Sequence, residues 1–311
     1  MSNLLLSIIQ STPDAITRAL AFGTPLLFAS MGAIVNERAG VVNLGVEGMM
    51  ALGALSGFVI AYNGGMGGNL FLAFLVAMLV GALAALLHAF ITITMRANQF
   101  VSGLALTLLG LGLSGLLGKK FEGQVLPINV GDAAQTLLID WGKFQVNPFT
   151  LIAVVLALVL AFVFQSTRLG LTLRSIGENP AAADVLGLNV TAVRYGAVAF
   201  GGALAGLAGA YLSLVYRPSW TDGMTAGLGW IAVALVIFVG WSPLRSIFGA
   251  IFFGLLYYLQ FRLQGQSAIP TEAFSAMPYL LVIVVLAFAG LRGQQGSAPE
   301  SLGLPYTRGE R

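Results

Sequence analysis

The stretch GMMALGALSGFVIAYNGGMGGNLFLAFLVAMLVGALAALLHAFITITM, residues 48–95, runs for its whole length without an Asp, Glu, Lys or Arg. A helix that crosses the hydrocarbon core of a bilayer needs about 20 apolar residues, so this stretch is long enough for two. The glycine-rich sequence Asn63–Asn69 lies near its middle and predicts the turn between them. The chain is therefore expected to contain a hairpin of two membrane-spanning helices.

The rest of the chain has the same apolar character. Hydrophobic residues make up 58% of it and charged residues 9%, against about 25% charged residues in soluble domains. Lipid offers no partner to free backbone amides and carbonyls, and the apolar runs lack the alternation of a barrel strand. We therefore predict an all-α fold, a polytopic transmembrane helical bundle. The predicted spans number nine: residues 19–36, two within 48–95, then 97–118, 144–167, 195–216, 223–244, 246–261 and 273–291.

Basic residues predict the orientation, because short cytoplasmic loops carry an excess of Lys and Arg. With the polar loop 165–194 in the cytoplasm, the N-terminus lies outside, the C-terminal tail lies inside, and most of the 15 basic residues are internal. The internal ones are Arg38, Arg96, Arg168, Arg174, Arg194, Arg245, Arg292, Arg308 and Arg311. Since they are scattered over many loops, they indicate membrane topology and not a nucleic-acid partner.

No long polar segment divides the chain, so residues 1–311 are expected to form a single domain. Two polar stretches stand out: the loop 165–194, and the tail 293–311, whose Gly, Gln, Ser and Pro content predicts disorder.

Within the loop, the residues Asn179 to Gly187 carry the start and stop signals of a short helix. Asn179 is suited to the N-cap, Pro180 to the first helical position and Gly187 to the C-terminal cap. A helix of one or two turns is marginally stable alone, so contacts at its ends or with a partner should hold it. An ordinary capped connector without a partner is the alternative interpretation.

Three segments of the sequence resemble one family. Gly177-Glu178-Asn179-Pro180-Ala181-Ala182, followed by Gly187, looks like the cytoplasmic coupling loop of ATP-binding-cassette (ABC) importer permeases for branched-chain amino acids, simple sugars and nucleosides. Residues 36–48, NERAGVVNLGVEG, are similar to the signature after the first core helix of these permeases. Residues 98–110, NQFVSGLALTLLG, resemble the segment that opens the fourth helix.

The resemblance implies a permease domain in the cytoplasmic membrane of a prokaryote, surrounded by membrane lipid and without enzymatic activity. Its partners would be a second homologous permease subunit, a cytoplasmic ATPase and an extracellular substrate-binding lipoprotein. ATP and Mg would bind to the ATPase and not to this chain. The sequence agrees, because the Gly118-Lys119-Lys120 stretch lacks both the earlier glycine and the Ser or Thr of a phosphate-binding loop.

Asn43 bears on the substrate. Sugar permeases of this class usually carry Asp at the matching position, and Asn43 with the following LGVEGMM is most similar to nucleoside permeases. Nucleosides are therefore the predicted substrate, and ribose-like sugars or branched-chain amino acids are the alternatives. An ion-driven secondary transporter is a further alternative that the capped loop disfavours.

The resemblance also implies how the loop works. Closure of the ATPase would move the short helix as a lever and switch access between the two faces of the membrane, with Gly177 and Gly187 as joints. Glu178 and Asp184 could pair with basic residues of the ATPase. The residues predicted to couple the chain to the ATPase are Gly177, Glu178, Asn179, Pro180, Ala181, Ala182, Asp184 and Gly187.

Polar residues inside spans are candidates for function because they are expensive there. Asn43 and Glu47 are four residues apart and are expected to share a helix face, where they could bind substrate. The alternative interpretation is that Glu47 pairs with Arg38 or caps a broken helix. A second group opens the next span, where helix capping and contacts between helices compete with a role in the pathway. The predicted pathway residues are Asn43, Glu47, Asn98, Ser102 and Thr107.

No metal site is predicted. The chain has no cysteine, and its single histidine, His88, lies in an apolar run where a structural role is more common than metal binding.

Overall fold

The following description rests on a computed structural model of the chain. The structure describes residues 2–64, 69–127, 139–141, 144–264, 280, 283, 284, 287 and 298–307.

The described chain consists mostly of helices, which confirms the all-α prediction except for one short hairpin. The helices are α1 (Ser2–Arg38), α2 (Val46–Asn63), α3 (Leu70–Ala89), α4 (Gln99–Gly118), α5 (Pro148–Ser166), α6 (Arg168–Glu178), α7 (Pro180–Val185), α8 (Val190–Tyr211), α9 (Leu228–Phe238) and α10 (Pro243–Gln264). Single π-helical turns extend α3 over Phe90–Thr94 and α8 over Leu212–Tyr216, and a 3₁₀ turn follows α4 over Lys119–Phe121. The hairpin pairs β1 (Ile139–Trp141) antiparallel with β2 (Phe144–Val146), with Asp140 opposite Gln145.

Six of these helices are long and apolar enough to cross a membrane. They cover residues 15–38, 46–63, 70–94, 99–121, 148–166 and 190–216. The predicted span 246–261 falls within α10, which has 22 residues but is not among the six. The predicted span 273–291 lies outside the described residues apart from four single positions. The total of nine spans therefore stays a prediction.

The predicted span 223–244 differs most from the structure. Its one complete helix covers residues 228–238, which is 11 residues and too short to cross the hydrocarbon alone, and its last two residues, 243 and 244, already belong to α10. Left-handed backbone bounds this helix at both ends, with φ +83° at Gly227 and +63° at Gly240. The apolar run is continuous in the sequence, but the glycines interrupt the helix.

Side-chain oxygens begin most of the other helices, which explains why the helices start where they do. In each of the six helices from α3 to α8, an Asn or Thr side chain just before the helix accepts a backbone N–H of the first turn. This bond replaces one of the hydrogen bonds that the start of a helix lacks. These N-cap residues are Asn69, Asn98, Asn147, Thr167, Asn179 and Asn189.

The helices α1 and α8 lie at the centre of the bundle. In the most apolar 18-residue stretch within residues 15–38, 89% is buried, against 28% in the corresponding stretch within residues 70–94 of α3. The centre packs closely because glycines lie where helices cross: the backbone of Gly206 in α8 leaves no room for a Cβ on Gly53 of α2, and the Ala77 carbonyl of α3 leaves none for a Cβ on Gly206. The outer faces of α3, α4 and α5 carry exposed leucines, valines and phenylalanines, as expected for surfaces in contact with lipid.

Candidate functional site

The structure places a short helix, α7, where the loop signals predicted one. The Oδ1 atom of Asn179 accepts the N–H of Ala182 at 2.9 Å, and Pro180 occupies the first helical position. After α7 the chain turns at Gly187, whose φ of +85° favours glycine. The local signals were therefore sufficient to predict this helix.

One face of α7 packs on the protein and the other is bare. Ala183 is buried against Ile176 and Val190, which seats α7 on the ends of α6 and α8. The outward side presents two large apolar side chains, Val185 and Leu186, which are 88% and 80% exposed. Neither residue was predicted from the sequence, because an apolar residue in a loop carries no charge or capping signal.

The other predicted coupling residues surround this apolar pair. Glu178, Asn179, Ala181, Ala182 and Gly187 are exposed, and Pro180 and Asp184 are half-buried. This arrangement offers a continuous surface of one short helix and its flanks.

Gly177 is the exception, because it is buried within α6 and does not join two helices. A Cβ at this position would collide with the carbonyl oxygen of Arg38. Close packing between α6 and the end of α1 therefore explains the glycine better than a joint does.

Residues 298–307 of the C-terminal tail are packed against this region, so the predicted disorder does not hold for them. The Ser301 N–H donates to the Gly177 carbonyl at 2.9 Å, and the Ser301 hydroxyl donates to the same oxygen at 2.6 Å. The backbone N–H of Glu300 donates to the Glu178 carboxyl group at 3.2 Å. The tail thus holds the end of α6 immediately before α7.

Arg194, at the start of α8, completes this connection. Its side chain is buried, and its Nε–H donates to the Ala39 carbonyl at 3.0 Å while Nη2 donates to the Ser301 hydroxyl at 3.2 Å. The end of α1, the tail and the start of α8 are therefore joined through one guanidinium. From the sequence, Arg194 indicated only the membrane topology.

The linker between α1 and α2, residues 39–45, contains most of the second predicted group. Asn43 and Glu47 do not share a helix face, because α2 begins only at Val46 and Asn43 lies in the linker. The Asn43 Oδ1 atom accepts the Gly45 N–H at 2.8 Å, so this side chain stabilises the linker turn. The prediction of a shared face was wrong because the helix start has no recognisable side-chain cap.

Glu47 caps another helix. Its buried carboxyl group accepts the Thr225 hydroxyl at 2.6 Å, the Gly227 N–H at 2.8 Å and the Gly229 N–H at 2.6 Å. These donors belong to the segment that leads into α9 and to the first turn of α9. Of the interpretations considered from the sequence, the cap of a broken helix matches this geometry.

The predicted residues of α4 also bond within the chain. Asn98 caps α4, the Thr107 hydroxyl donates to the Leu44 carbonyl at 2.8 Å, and the Ser102 hydroxyl contacts His88 Nδ1 at 2.9 Å. His88 Nε2 lies 3.0 Å from the Val42 carbonyl, so this histidine joins α3 to the linker. Ser102 and Thr107 therefore hold the linker in place, whereas Asn98 lies apart from it on the surface.

The comparisons with known proteins place this architecture in a family. Residues 15–286 match the family model of the branched-chain amino acid transport system / permease component. The chain belongs to this family. It is thus the permease subunit of an ABC importer, a multi-pass protein of the cytoplasmic membrane that works with an ATPase and has no catalytic activity of its own.

Three relatives are similar over nearly their full lengths. A protein of Haloferax volcanii assigned as a glucose ABC transporter permease is 38% identical, with 92% of this chain and 94% of the relative covered. A nucleoside ABC transporter permease of Lactococcus lactis is 34% identical, with 97% and 99% covered. A guanosine ABC transporter permease of Bacillus subtilis is 32% identical, with 98% and 100% covered.

One solved structure shares the fold. An ABC transporter of the metal-chelate type, in an inward-facing conformation, superimposes with a TM-score of 0.52 at 19% identity, with 92% of this chain and 89% of that chain covered. At this identity the likeness concerns the fold alone.

Proposed function

We propose that this permease imports nucleosides by alternating access. The observation that carries the proposal is the similarity along the whole chain to two permeases named for nucleosides and guanosine. Asn43 of the linker supports it through its resemblance to nucleoside permeases, and in the structure its amide is buried, with the NH₂ group 3.9 Å from the Met49 sulfur. An aspartate there would place a charge beside a thioether, so the neutral residue fits this packing better.

Glucose or another simple sugar is the second candidate. The glucose permease of H. volcanii favours it, at an identity somewhat above those of the nucleoside permeases. Both substrates present vicinal hydroxyl groups, so the chemistry of the pathway alone does not separate them.

Uptake in cells separates the two candidates. Labelled guanosine, uridine, glucose and ribose are supplied to the wild type, to a strain that lacks this gene, and to a strain whose partner ATPase is catalytically dead. We expect both altered strains to lose guanosine and uridine uptake and to keep glucose and ribose uptake. Loss of glucose uptake with intact nucleoside uptake would establish the second candidate instead.

We further propose that α7 docks into the partner ATPase through Val185 and Leu186. Val185 at the end of α7 and Leu186 directly after it are both exposed, and burial of a large apolar side chain that is fully removed from water stabilises a complex by about 1.5–3 kcal/mol. Glu178 and Asp184 contribute less, since exposed ion pairs are worth about 0–1 kcal/mol each. The buried bonds among Gly177, Ser301 and Arg194 would transmit a push on α7 to the ends of α1 and α8.

The docking proposal is tested by Leu186→Asp, with Val125→Asp as the matched control. Val125 is a similarly exposed apolar residue, at 63%, in the segment that follows the C-terminal end of α4. We expect Leu186→Asp to lose co-purification with the ATPase while the permease remains folded, and Val125→Asp to retain it. Equal co-purification of the two variants would remove Leu186 from the interface.

The remaining partners follow from the same proposal. A second homologous permease would complete the pathway, and an extracellular lipoprotein would deliver the substrate. In this account Asn43, Ser102 and Thr107 act by positioning the linker 39–45, and residues 1–311 form one permease domain.

A further inference from the structure

The segment between α8 and α9 has an irregular backbone. Residues 217–227 form no regular helix, and Gly223, Ala226 and Gly227 have φ values of +66°, +46° and +83°. Ala226 is notable because left-handed backbone is rare in residues that carry a Cβ. Residues 223–227 of this segment belong to the predicted span 223–244, and residues 217–222 were predicted to lie between two spans.

Packing places the end of this segment deep inside the bundle. Gly229 of α9 packs on the backbone of Glu47, and the adjacent Gly48 packs on Leu106 and Thr107 of α4 and against Gly110. Gly110 lies about 12 Å from the Gly118 end of α4, since a helix rises about 1.5 Å per residue. Glu47 and the start of α9 therefore lie about halfway along a membrane-spanning helix.

Part of the segment is open at this depth. Ala226 is exposed although both of its neighbours donate hydrogen bonds to the buried Glu47, from the Thr225 hydroxyl and the Gly227 N–H. Thr221, Asp222 and Gly223 are exposed as well. The exposed surface of this segment therefore continues from the C-terminal end of α4, where the Asp222 N–H donates to the Glu122 carboxyl group at 2.9 Å, to Ala226 inside the bundle.

Exposed irregular backbone at this depth restricts what can lie beside it. In the hydrocarbon each unsatisfied backbone group costs several kcal/mol, so such segments occur only where they line water or are covered by protein. The helical faces of α3 and α4, in contrast, can face lipid without such a cost. The two kinds of exposed surface on this permease thus have different surroundings.

We propose that residues 221–226 line the water-filled substrate pathway, and that the Asp222 carboxylate accepts hydrogen bonds from the sugar hydroxyls of the substrate. This inference rests on the proposed function as a nucleoside importer. The Asp222 carboxylate lies against Gly115 of α4, where a Cβ would approach it to 3.0 Å, and no side-chain donor contacts it among the residues that the structure describes. A carboxylate accepts hydrogen bonds at both oxygens, which suits two neighbouring hydroxyls of a ribose.

The absence of cysteine from the chain allows a direct test. Single cysteines are introduced as Ala226→Cys and, as the control, Leu108→Cys, which lies at the same depth on α4 and is 72% exposed on a regular helix. The complete transporter in membranes is treated with a charged, membrane-impermeant methanethiosulfonate, which reacts with ionised thiols in water. Thr221→Cys serves as a second probe if Ala226→Cys does not assemble.

We expect Ala226→Cys to react at least about tenfold faster than Leu108→Cys, and transported guanosine to slow the reaction. A rate as low as that of Leu108→Cys for both probes would mean that lipid or another subunit covers the segment, which would overturn the inference. A rapid reaction that no transported substrate alters would overturn it as well. Protection by glucose but not by guanosine would support the pathway and contradict the nucleoside proposal.

Asp222→Asn tests the substrate contact separately. Hydrogen bonds to charged groups are stronger than neutral ones, so we expect the half-saturating guanosine concentration to rise at least about tenfold with little change in protein level. Asp222→Glu, which keeps the carboxylate, should recover part of the loss. An unchanged half-saturating concentration would exclude Asp222 from the substrate contacts.

Discussion

Replacement of Glu47 distinguishes a helix cap from a substrate ligand. In the structure this carboxyl group accepts three hydrogen bonds, from Thr225, Gly227 and Gly229, over distances of 2.6 to 2.8 Å. Glu47→Ala leaves three donors unpaired, and the two that are buried, at Thr225 and Gly229, cost about 1–3 kcal/mol each, or roughly 2–6 kcal/mol together. Because proteins are stable by only about 5–15 kcal/mol, we expect this variant to yield little folded permease.

Glu47→Gln is the informative variant, since it keeps the shape and one acceptor oxygen. If that oxygen faces Thr225 and Gly227, the new NH₂ group faces the Gly229 N–H, so one of the three bonds is lost at a cost of about 1–3 kcal/mol. A domain of 150–250 residues loses about 2–4 °C in Tm for each kcal/mol, and we expect a decrease of this order here.

The assay is thermal unfolding of the detergent-solubilised permease, followed by fluorescence-detected size exclusion, together with uptake. Glu122→Gln is the control, because Glu122 is exposed and, among the described residues, accepts one backbone N–H, that of Asp222, at 2.9 Å. The helix-cap account is refuted if Glu47→Gln keeps the wild-type Tm. A wild-type Tm with abolished uptake would return Glu47 to the substrate pathway, as the sequence first suggested.

Three further predictions concern the loop, the core and the tail. Gly187→Val should fold and leave ATP hydrolysis by the partner ATPase intact but lose coupled uptake, because a β-branched residue resists the φ of +85° that follows α7. Gly196→Val, which is equally free of neighbours but lies in ordinary helix, should transport normally, and equal uptake by both variants would count against α7 as a lever. Gly206→Val should abolish the monodisperse peak in size exclusion, because its side chain would meet the Ala77 carbonyl of α3. Gly112→Val, with open space around it, should elute like the wild type, and a normal profile for Gly206→Val would disprove the close crossing. Arg194→Gln should release residues 298–307 and speed limited proteolysis of the tail, because the bonds to Ala39 and Ser301 are weakened. Arg168→Gln is the control, because Arg168 is an exposed residue of the same loop. Unchanged cleavage of the Arg194→Gln variant would show that the tail is held by other contacts.

Local signals in the sequence predicted the local structure well. Asn179, Pro180 and Gly187 act within a few residues of their own positions, so their effect on α7 can be read from the sequence alone. The same applies to the end of α2 at Asn63, to the N-cap of α3 at Asn69 and to the apolar runs that became spans.

Contacts between distant parts of the chain were not predictable in this way. Glu47 bonds to residues 178 to 182 positions further along, and one sequence gives no sign of that pairing. Its acidic side chain was correctly selected as unusual, but its partner donors are mostly backbone groups, which every residue carries. The disorder predicted from the composition of the tail was wrong around Ser301, because the hydroxyl group of this residue accepts a hydrogen bond from the buried Arg194.

The break before α9 was visible in part. Gly223, Gly227 and Gly240 are turn signals within the predicted span 223–244, but the mean hydropathy of the run outweighed them. In a membrane helix glycine also serves close packing, as Gly53 and Gly206 do here, so the residue type alone does not show which role applies.

ATP-driven transport by the reconstituted complex tests the central claim most directly. Purified permease, its partner permease and the ATPase are placed in proteoliposomes with the binding protein, and guanosine accumulation and phosphate release are measured together. The account predicts guanosine accumulation that requires ATP, stops with a catalytically dead ATPase and is not reduced by excess glucose. Accumulation that continues without ATP hydrolysis, driven by an ion gradient, would contradict it.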